Sequence, residues 1–161
     1  MVTLSSRQRH ILTGLSASGL GVVLIVIGIS FAVTHFRMRQ QVQLGAMTFT
    51  VRLAETDFAR KKGLSGIETL GSDEGLLMVF GSDGFWGIWM KDMKIPLDIV
   101  WLDNNKKVID LVTDVSPSLG TTKTFEPSVP ARYVLEIPAG AAKKSAIKNG
   151  DTAEFKFGGE K

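Results

Sequence analysis

An uncharged apolar run near the N-terminus constrains this chain more than any other feature. Residues 11–33, ILTGLSASGLGVVLIVIGISFAV, contain no charged side chain over 23 positions. At about 1.5 Å per residue, a helix of that length crosses a hydrocarbon core of about 30 Å. The run therefore predicts a single-pass transmembrane helix after an N-terminal tail, residues 1–10. A cleaved signal peptide is the alternative, because Ser30-Phe31-Ala32 resembles a cleavage site, although the usual apolar region of such a peptide has about 7–15 residues.

Charge is distributed unevenly along the chain. Of 19 Lys and Arg, four precede residue 40, whereas all 16 Asp and Glu follow it, so residues 40–161 have a formal charge of −1. The basic isoelectric point, about 9.3, is thus a property of the N-terminal region. A domain without excess positive charge argues against nucleic acid as a partner.

Charge does not decide how the predicted helix is oriented. Arg7 and Arg9 on one side are balanced by Arg37 and Arg39 on the other, which leaves the positive-inside rule nearly neutral. A short tail, one span and a long folded domain is the usual signal-anchor layout, so we expect a cytoplasmic N-terminus and an extracytoplasmic domain. Residues 34–46 indicate a polar linker whose arginines contact anionic lipid headgroups. The lipid bilayer is therefore the first predicted partner.

Missing residue types exclude several kinds of site. The chain has no Cys, and its two histidines, His10 and His35, both flank the apolar run. The globular part therefore has no disulfide, thiolate site, histidine triad or histidine zinc site. Phosphate-loop and dinucleotide fingerprints are also absent. Met90 and Met93 could ligate Cu(I), but core packing is the commoner use of methionine, and we predict no cofactor and no metal.

From residue 47 onward, short alternating or apolar runs separated by Gly, Pro, Asn and Asp predict mainly β structure. Residues 47–54 alternate as in a strand with one apolar face. Residues 56–63 predict a short helix with Thr56 at its N-cap and Gly63 after its end. Further strands are predicted over 75–80, 97–103, 106–112, 131–138 and 151–157, with a second helical segment over 139–150. The globular domain then spans 47–157, and 158–161 form a loose C-terminus.

Several sequence segments together resemble those of one family. They are GLSG after the short helix, GLLMVF, FWGIWMKDMKIPLDIVWLD, and ARYVLEIPAGAAKKSAIKNGDTAEF. Over residues 47–157 the chain resembles the domain-of-unknown-function 192 family, also called uncharacterised protein family 0127. The resemblance implies a small, mainly β, barrel-like domain, often exported or membrane-tethered, without a settled activity. The chain departs from the family pattern at Ser65, where methionine is usual, and in lacking a cysteine before the YVLE strand.

Two carboxylates fall on strand positions that should be buried. Successive side chains of a strand point to opposite sides. Asp98 therefore lies on the other side of its strand from Leu97 and Ile99, and Glu136 lies on the same side as Val134. A buried carboxylate needs a cation or an N–H donor, and for Asp98 the candidates are Lys91, Lys94 and Arg132. One interpretation joins Asp98 and Glu136 into an acid/base or cation-binding pair. The other treats both as structural groups that hold loops together.

All three tryptophans lie within residues 85–103, among charged side chains. Most of this aromatic surface is expected to fill the core, because aromatic side chains bury large apolar areas. Phe85 and Trp86 are the expected exposed pair, since glycines bracket them. The candidate ligand-binding residues are Phe85, Trp86, Trp89, Lys91, Asp92, Asp98 and Glu136.

The sequence favours a non-catalytic, membrane-anchored binding domain outside the cytoplasm. Its partner would be a carbohydrate, a peptide or a membrane protein. The alternative is a carboxylate-dependent or cation-dependent hydrolase that uses Asp98 and Glu136. A third hypothesis is a structural stabiliser of a membrane complex, which a contiguous exposed apolar patch would signal.

Overall fold

The computed structural model of the protein describes residues 39–157. The predicted tail (1–10), transmembrane helix (11–33) and loose C-terminus (158–161) lie outside the described residues. Within these residues, eight strands, two short α-helices and one 3-10 helix follow one another in this order: β1 (Arg39–Leu44), β2 (Met47–Ala54), α1 (Asp57–Lys62), β3 (Glu74–Gly84), β4 (Ile88–Trp89), β5 (Leu97–Leu102), β6 (Val108–Val115), the 3-10 helix (Pro117–Leu119), β7 (Thr124–Phe125), β8 (Ala131–Pro138) and α2 (Ala141–Lys144). No helix within residues 39–157 has the length and apolar character needed to span a bilayer.

Six strands form one mixed sheet in the order β1-β2-β3-β8-β5-β6, and β4 and β7 form a separate two-stranded ribbon. The β2–β3 pair is parallel, and α1 lies in the connection between these strands. The other neighbours in the large sheet are antiparallel. The domain is therefore mainly β, as predicted, but the expectation of a barrel-like domain is corrected. The sheet is open, because the edge strands β1 and β6 do not pair with each other.

The segment after α2 joins the two edges of the sheet at one end. Gln43 exchanges two backbone hydrogen bonds with Glu154, of 2.9 and 2.8 Å, and Val108 donates its N–H to the carbonyl of Asp151 at 2.7 Å. Single bridges replace the predicted strand over 151–157. A segment that divides its hydrogen bonds between two edges cannot extend a ladder along either of them.

Both faces of the sheet are covered by apolar side chains. The face that carries α2, here called the α2 face, buries Val42, Phe49, Leu77, Val100 and Leu135. The face that carries α1, here called the α1 face, buries Leu76, Met78, Ile99, Trp101 and Val134. Consecutive residues of the central strands alternate between the two faces, so the predicted parity of β5 and β8 is confirmed.

Local sequence signals explain the elements that were predicted. The Thr56 hydroxyl accepts a hydrogen bond from the N–H of Ala59, which makes Thr56 the N-cap of α1. Gly63 ends that helix with a φ of 49°, a conformation that favours glycine. In the β5–β6 hairpin, Asp103 accepts hydrogen bonds from the N–H groups of Asn105 and Lys107.

Two segments differ from expectation. Residues 39–44, expected within the linker, form the edge strand β1, whose Val42 and Leu44 are fully buried on the α2 face. The α-helix predicted over 139–150 is limited to Ala141–Lys144, because Ala146 has a φ of 55° and interrupts it. A left-handed residue cannot continue a right-handed helix.

Candidate functional site

A pocket of about 300 Å³ opens on the α1 face of the sheet. It lies between α1 with its following loop, the second half of β3, the segment leading to β4, and one residue of β8. Its lining comprises Asp57, Arg60, Lys61, Lys62, Gly63, Leu64, Ser65, Met78, Phe80, Gly81, Trp86, Gly87, Ile88, Trp89, Met93 and Glu136. Apolar and aromatic groups thus predominate around a small number of polar groups, which is typical of ligand sites.

An irregularity in β3 borders this pocket. Regular pairing of β3 with β8 stops at Val79 and resumes only at Gly84, which faces Ala131. The intervening bulge is held by a 2.6 Å ion pair between Asp83 and Arg132. Bulges are common next to binding sites, and Phe80 and Gly81 of this segment line the pocket.

Glu136 forms the floor of the pocket. Its carboxyl is buried on the α1 face, and within residues 39–157 no hydrogen-bond partner reaches its Oε2 atom. A methyl group on Gly63 would lie 3.7 Å from this oxygen and 3.5 Å from Cε of Met78, so the loop after α1 passes directly over the carboxyl. An unpartnered buried oxygen beside a cavity is a group that a ligand can satisfy.

Burial raises the pKa of Glu136 from 4.5 to about 7, and the guanidinium of Arg52 opposes this rise. Arg52, Leu76 and Glu136 lie in one row across β2, β3 and β8. Two strand spacings, about 10 Å in all, therefore separate the Cα atoms of the two charged residues. The attraction of this cation does not offset the loss of hydration, so the carboxyl takes up a proton near neutral pH.

The aromatic wall of the pocket is a stack. Phe80 and Trp86 lie face to face with ring centroids 4.2 Å apart and planes 7° apart, and the guanidinium carbon of Arg60 lies 5.0 Å above the Phe80 ring. Gly84 permits this arrangement, since a Cβ there would approach Cε2 of Trp86 to 2.9 Å. The carbonyl of Trp86 accepts a 2.9 Å hydrogen bond from the indole of Trp101, which fixes the wall to the core.

The indole nitrogen of Trp86 is the second buried polar atom of the pocket without a partner. Its Nε1 atom finds no acceptor in the part of the chain that the structure describes. Trp86 therefore carries an unsatisfied donor and Glu136 an unsatisfied acceptor, and both side chains line the pocket.

Arg60 is committed to structure. It donates to the carbonyls of Glu55 and Val79, at 2.5 and 2.6 Å, and forms an ion pair with Asp57. The exposed Lys61 and Lys62 lie at the rim of the pocket and leave it with a positive edge.

Lys91 and Asp92 contribute through their backbones and do not line the pocket. The Lys91 carbonyl accepts a 2.9 Å hydrogen bond from the Ser65 hydroxyl, and the Asp92 carbonyl accepts one of 2.9 Å from the N–H of Gly66. Their side chains are exposed. The two residues therefore tie the loop after α1 to the segment after β4 and hold the pocket wall in place.

Asp98 lies on the other face of the sheet from Glu136. Its cross-strand partner is Ile137, a residue of the α2 face, whereas Glu136 is opposite Ile99 on the α1 face. The Asp98 carboxylate accepts hydrogen bonds of 2.8 Å from the backbone N–H groups of Asp114 and Ala142. These two N–H groups take the place of the expected partners Lys91, Lys94 and Arg132.

The structure thus brings together three of the seven candidate residues, namely Trp86, Trp89 and Glu136. Phe85 is 58% exposed but lies outside the lining. The expected exposed partner of Phe85 was Trp86, but the exposed tryptophan is Trp89, at 46%. Asp98 and Glu136 do not form a pair. Among residues 39–157, no group of three acidic or histidine side chains could hold a metal ion.

The candidate ligand-binding residues predicted from the sequence did not include Arg60, Met78, Phe80 and Met93, which line the pocket. Parity along β3 places Met78 and Phe80 on one face, a signal that was available. Joining that face to Glu136 required knowing that β3 pairs with β8, with Leu76 opposite Glu136.

Solved structures show the same fold. A Sinorhizobium meliloti protein named as a candidate transcription regulator matches with a TM-score of 0.69 and 26% identity, over 73% of this chain and 93% of that protein. A protein of unknown function from Novosphingobium aromaticivorans matches with a TM-score of 0.67 and 28% identity, over 71% of this chain and 83% of the other.

Archaeal relatives are similar in sequence. UPF0127 protein TK1120 of Thermococcus kodakarensis is 27% identical over 101 residues, 63% of this chain and 61% of the relative. UPF0127 protein PF1050 of Pyrococcus furiosus is 29% identical over 69 residues, 43% of this chain and 53% of the relative. The match spans less than two thirds of either relative. The family model DUF192, described as "Uncharacterized ACR", matches residues 39–155. That match covers well over half of the chain and every element that lines the pocket, so the protein belongs to the domain-of-unknown-function 192 family.

Proposed function

We propose that this protein is a non-catalytic, small-ligand-binding domain, tethered to a membrane by residues 11–33 and located outside the cytoplasm. The observation that carries the binding proposal is the pocket on the α1 face, where a buried carboxyl with one unpartnered oxygen lies beneath aromatic walls. Its volume, about 300 Å³, is at the small end of the range of ligand pockets, about 300–1,000 Å³. The ligand is therefore a compact molecule.

Several contacts support a preformed site. The stack of Arg60, Phe80 and Trp86 fixes one wall, and the hydrogen bond between Ser65 and Lys91 fixes another. Walls held in this way lose little conformational freedom when a ligand binds, which favours affinity.

The hydrolase alternative receives less support. It requires a second carboxyl group within reach of Glu136, and Asp98 is on the opposite face with both oxygens occupied by backbone N–H groups. Asp57, the other carboxylate of the lining, forms an ion pair with Arg60. We therefore assign Glu136 a recognition role.

A thermal-shift screen tests the binding proposal. The full-length chain in lipid nanodiscs would be screened against saccharides, short peptides and small aromatic compounds, because detergent could occupy an apolar pocket. A ligand bound only by the folded state at about 100 times its Kd adds about 2.7 kcal/mol to the unfolding free energy.

Two exposed aromatic residues provide a matched pair of variants. Trp89→Ala removes a side chain that lines the pocket, and Phe85→Ala removes one that does not. We expect the ligand-induced shift to be lost in Trp89→Ala and kept in Phe85→Ala. Equal shifts in both variants, or none in the wild type across the panel, would contradict the proposed site.

The tether and its orientation need a separate test. Carbonate extraction of membranes should leave the protein in the pellet, and protease added to intact spheroplasts should digest the domain. Release of the protein by carbonate would refute the transmembrane tether, and protection of the domain until lysis would refute its external location.

A further inference from the structure

Two side chains that line the pocket carry buried polar atoms of opposite hydrogen-bonding type. Oε2 of Glu136 is an acceptor and Nε1 of Trp86 is a donor, and neither has a partner within the described residues. Such atoms are uncommon in folded proteins, and each unsatisfied group costs roughly 1–3 kcal/mol. Their common location suggests that one ligand satisfies both.

We infer that the pocket binds a neutral saccharide ring, whose hydroxyl groups donate to Glu136 and accept from Trp86. This inference rests on the proposed ligand-binding function and specifies the class of ligand. A hydroxyl group both donates and accepts, so neighbouring hydroxyls on one ring can serve the two protein atoms together.

The mouth of the pocket suits the apolar C–H face of such a ring. Trp89 lines the pocket and is 46% exposed, so part of its indole surface is available at the entrance. Tryptophan combines a large apolar ring with a polar N–H group, and it is common at surfaces where apolar and hydrated regions meet. A sugar ring has both kinds, with C–H groups on its faces and hydroxyls at its edge.

Charge and polarity argue against three other kinds of compact ligand. A cationic amine would meet the exposed Lys61 and Lys62 at the rim, and burial raises the pKa of Glu136 to about 7, which reduces the negative charge that could attract it. An anion that passed the rim would lie against the Glu136 carboxyl. A purely apolar molecule would leave both polar atoms unpartnered.

The three tryptophans provide a direct assay. The full-length chain would be labelled with 15N-tryptophan in lipid nanodiscs, so that its indole N–H groups give three NMR signals, from Trp86, Trp89 and Trp101. Glucose, galactose, mannose and N-acetylglucosamine would be titrated separately, with choline and benzyl alcohol as cationic and apolar probes. Trp101 is the internal control, because its indole is fully buried and bonded to the Trp86 carbonyl.

We expect at least one saccharide to shift the Trp86 and Trp89 signals in a saturable manner while the Trp101 signal stays fixed. Glu136→Met, which keeps the side-chain volume but removes the acceptor, should weaken binding about tenfold or more. Glu136→Gln keeps an acceptor oxygen and should weaken it by less than about threefold. Both variants should stay folded, since each removes a buried carboxyl, and the Trp101 signal reports on this.

Three outcomes would overturn the inference. If choline or benzyl alcohol shifts the Trp86 signal and no saccharide does, the saccharide inference fails while the proposed binding function stands. If a saccharide binds equally well to wild type and Glu136→Met, the assigned contact is refuted. If no probe shifts Trp86 or Trp89, the saccharide inference fails, and the proposed function fails with it when the thermal-shift screen also finds no ligand.

Discussion

Replacing Glu136 with glutamine should remove a large part of the pH dependence of this domain's stability. Glu136 is buried on the α1 face, and its pKa rises from 4.5 to about 7 because burial disfavours the charged form. A carboxyl with a raised pKa in the folded state stabilises the fold fully below pH 4.5. That contribution is lost as the pH rises through about 7, because the folded state must then hold a buried charge.

The magnitude follows from the rise in the pKa. Each pKa unit corresponds to about 1.4 kcal/mol, so the change from 4.5 to about 7 corresponds to about 3 kcal/mol of unfolding free energy. Glutamine has nearly the same shape and stays neutral. The unfolding free energy of Glu136→Gln, relative to wild type, should therefore increase by about 3 kcal/mol between pH 4.5 and pH 8.

Urea unfolding followed by tryptophan fluorescence measures this difference. All three tryptophans lie between residues 86 and 101, so the signal reports on this domain even in the full-length chain. Subtracting the wild-type curve from the variant curve at each pH removes the contributions of other titrating groups. Glu68→Gln, at an exposed position, controls for the loss of one carboxylate at the surface. A variant-minus-wild-type difference that stays constant across this pH range would refute the reasoning.

Three further substitutions test the packing on which the site depends, each by urea unfolding. Asp98→Ala should lower the unfolding free energy by roughly 2–5 kcal/mol, because it leaves one buried and one partly buried backbone N–H group without an acceptor; a loss below about 1 kcal/mol would contradict this. Gly75→Ala should lower the unfolding free energy by about 3 kcal/mol or more, because its Cβ would lie 2.6 Å from a backbone carbonyl of β8. Gly81→Ala is the control: no atom of a non-adjacent residue lies within 4 Å of its Cβ, so the unfolding free energy should change little. Equal effects at the two glycines would contradict that prediction. Trp101→Phe should cost about 1–3 kcal/mol through a small cavity and the lost hydrogen bond to the carbonyl of Trp86, and an unchanged free energy would contradict it.

Features that depend on neighbouring residues were accessible from the sequence. The bounds of β2 and the capping of α1 by Thr56 follow from periodicity and capping chemistry. Strand parity also gave the burial of Asp98 and Glu136, because alternation is a property of each strand alone. Motif resemblance gave the family, which the match over residues 39–155 confirms.

Features that depend on strand order were not accessible. The sequence did not indicate that β8 lies between β3 and β5, the arrangement that separates Asp98 from Glu136 by a sheet. It also did not indicate β1, because alternating Gln and apolar residues in RQQVQL form a strand only when an adjacent edge and a core are available. The pocket combines α1, β3 and β8, so its lining could be identified only after these elements were assembled.

A crystal structure of the domain with the saccharide that shifts the Trp86 signal would test the binding account most directly. We expect the ligand in the pocket on the α1 face, with one hydroxyl within hydrogen-bonding distance of Oε2 of Glu136 and another near Nε1 of Trp86. A ligand bound elsewhere, for example in the cleft beside Gln41, Thr48 and Lys106, with Glu136 still unpartnered, would contradict it.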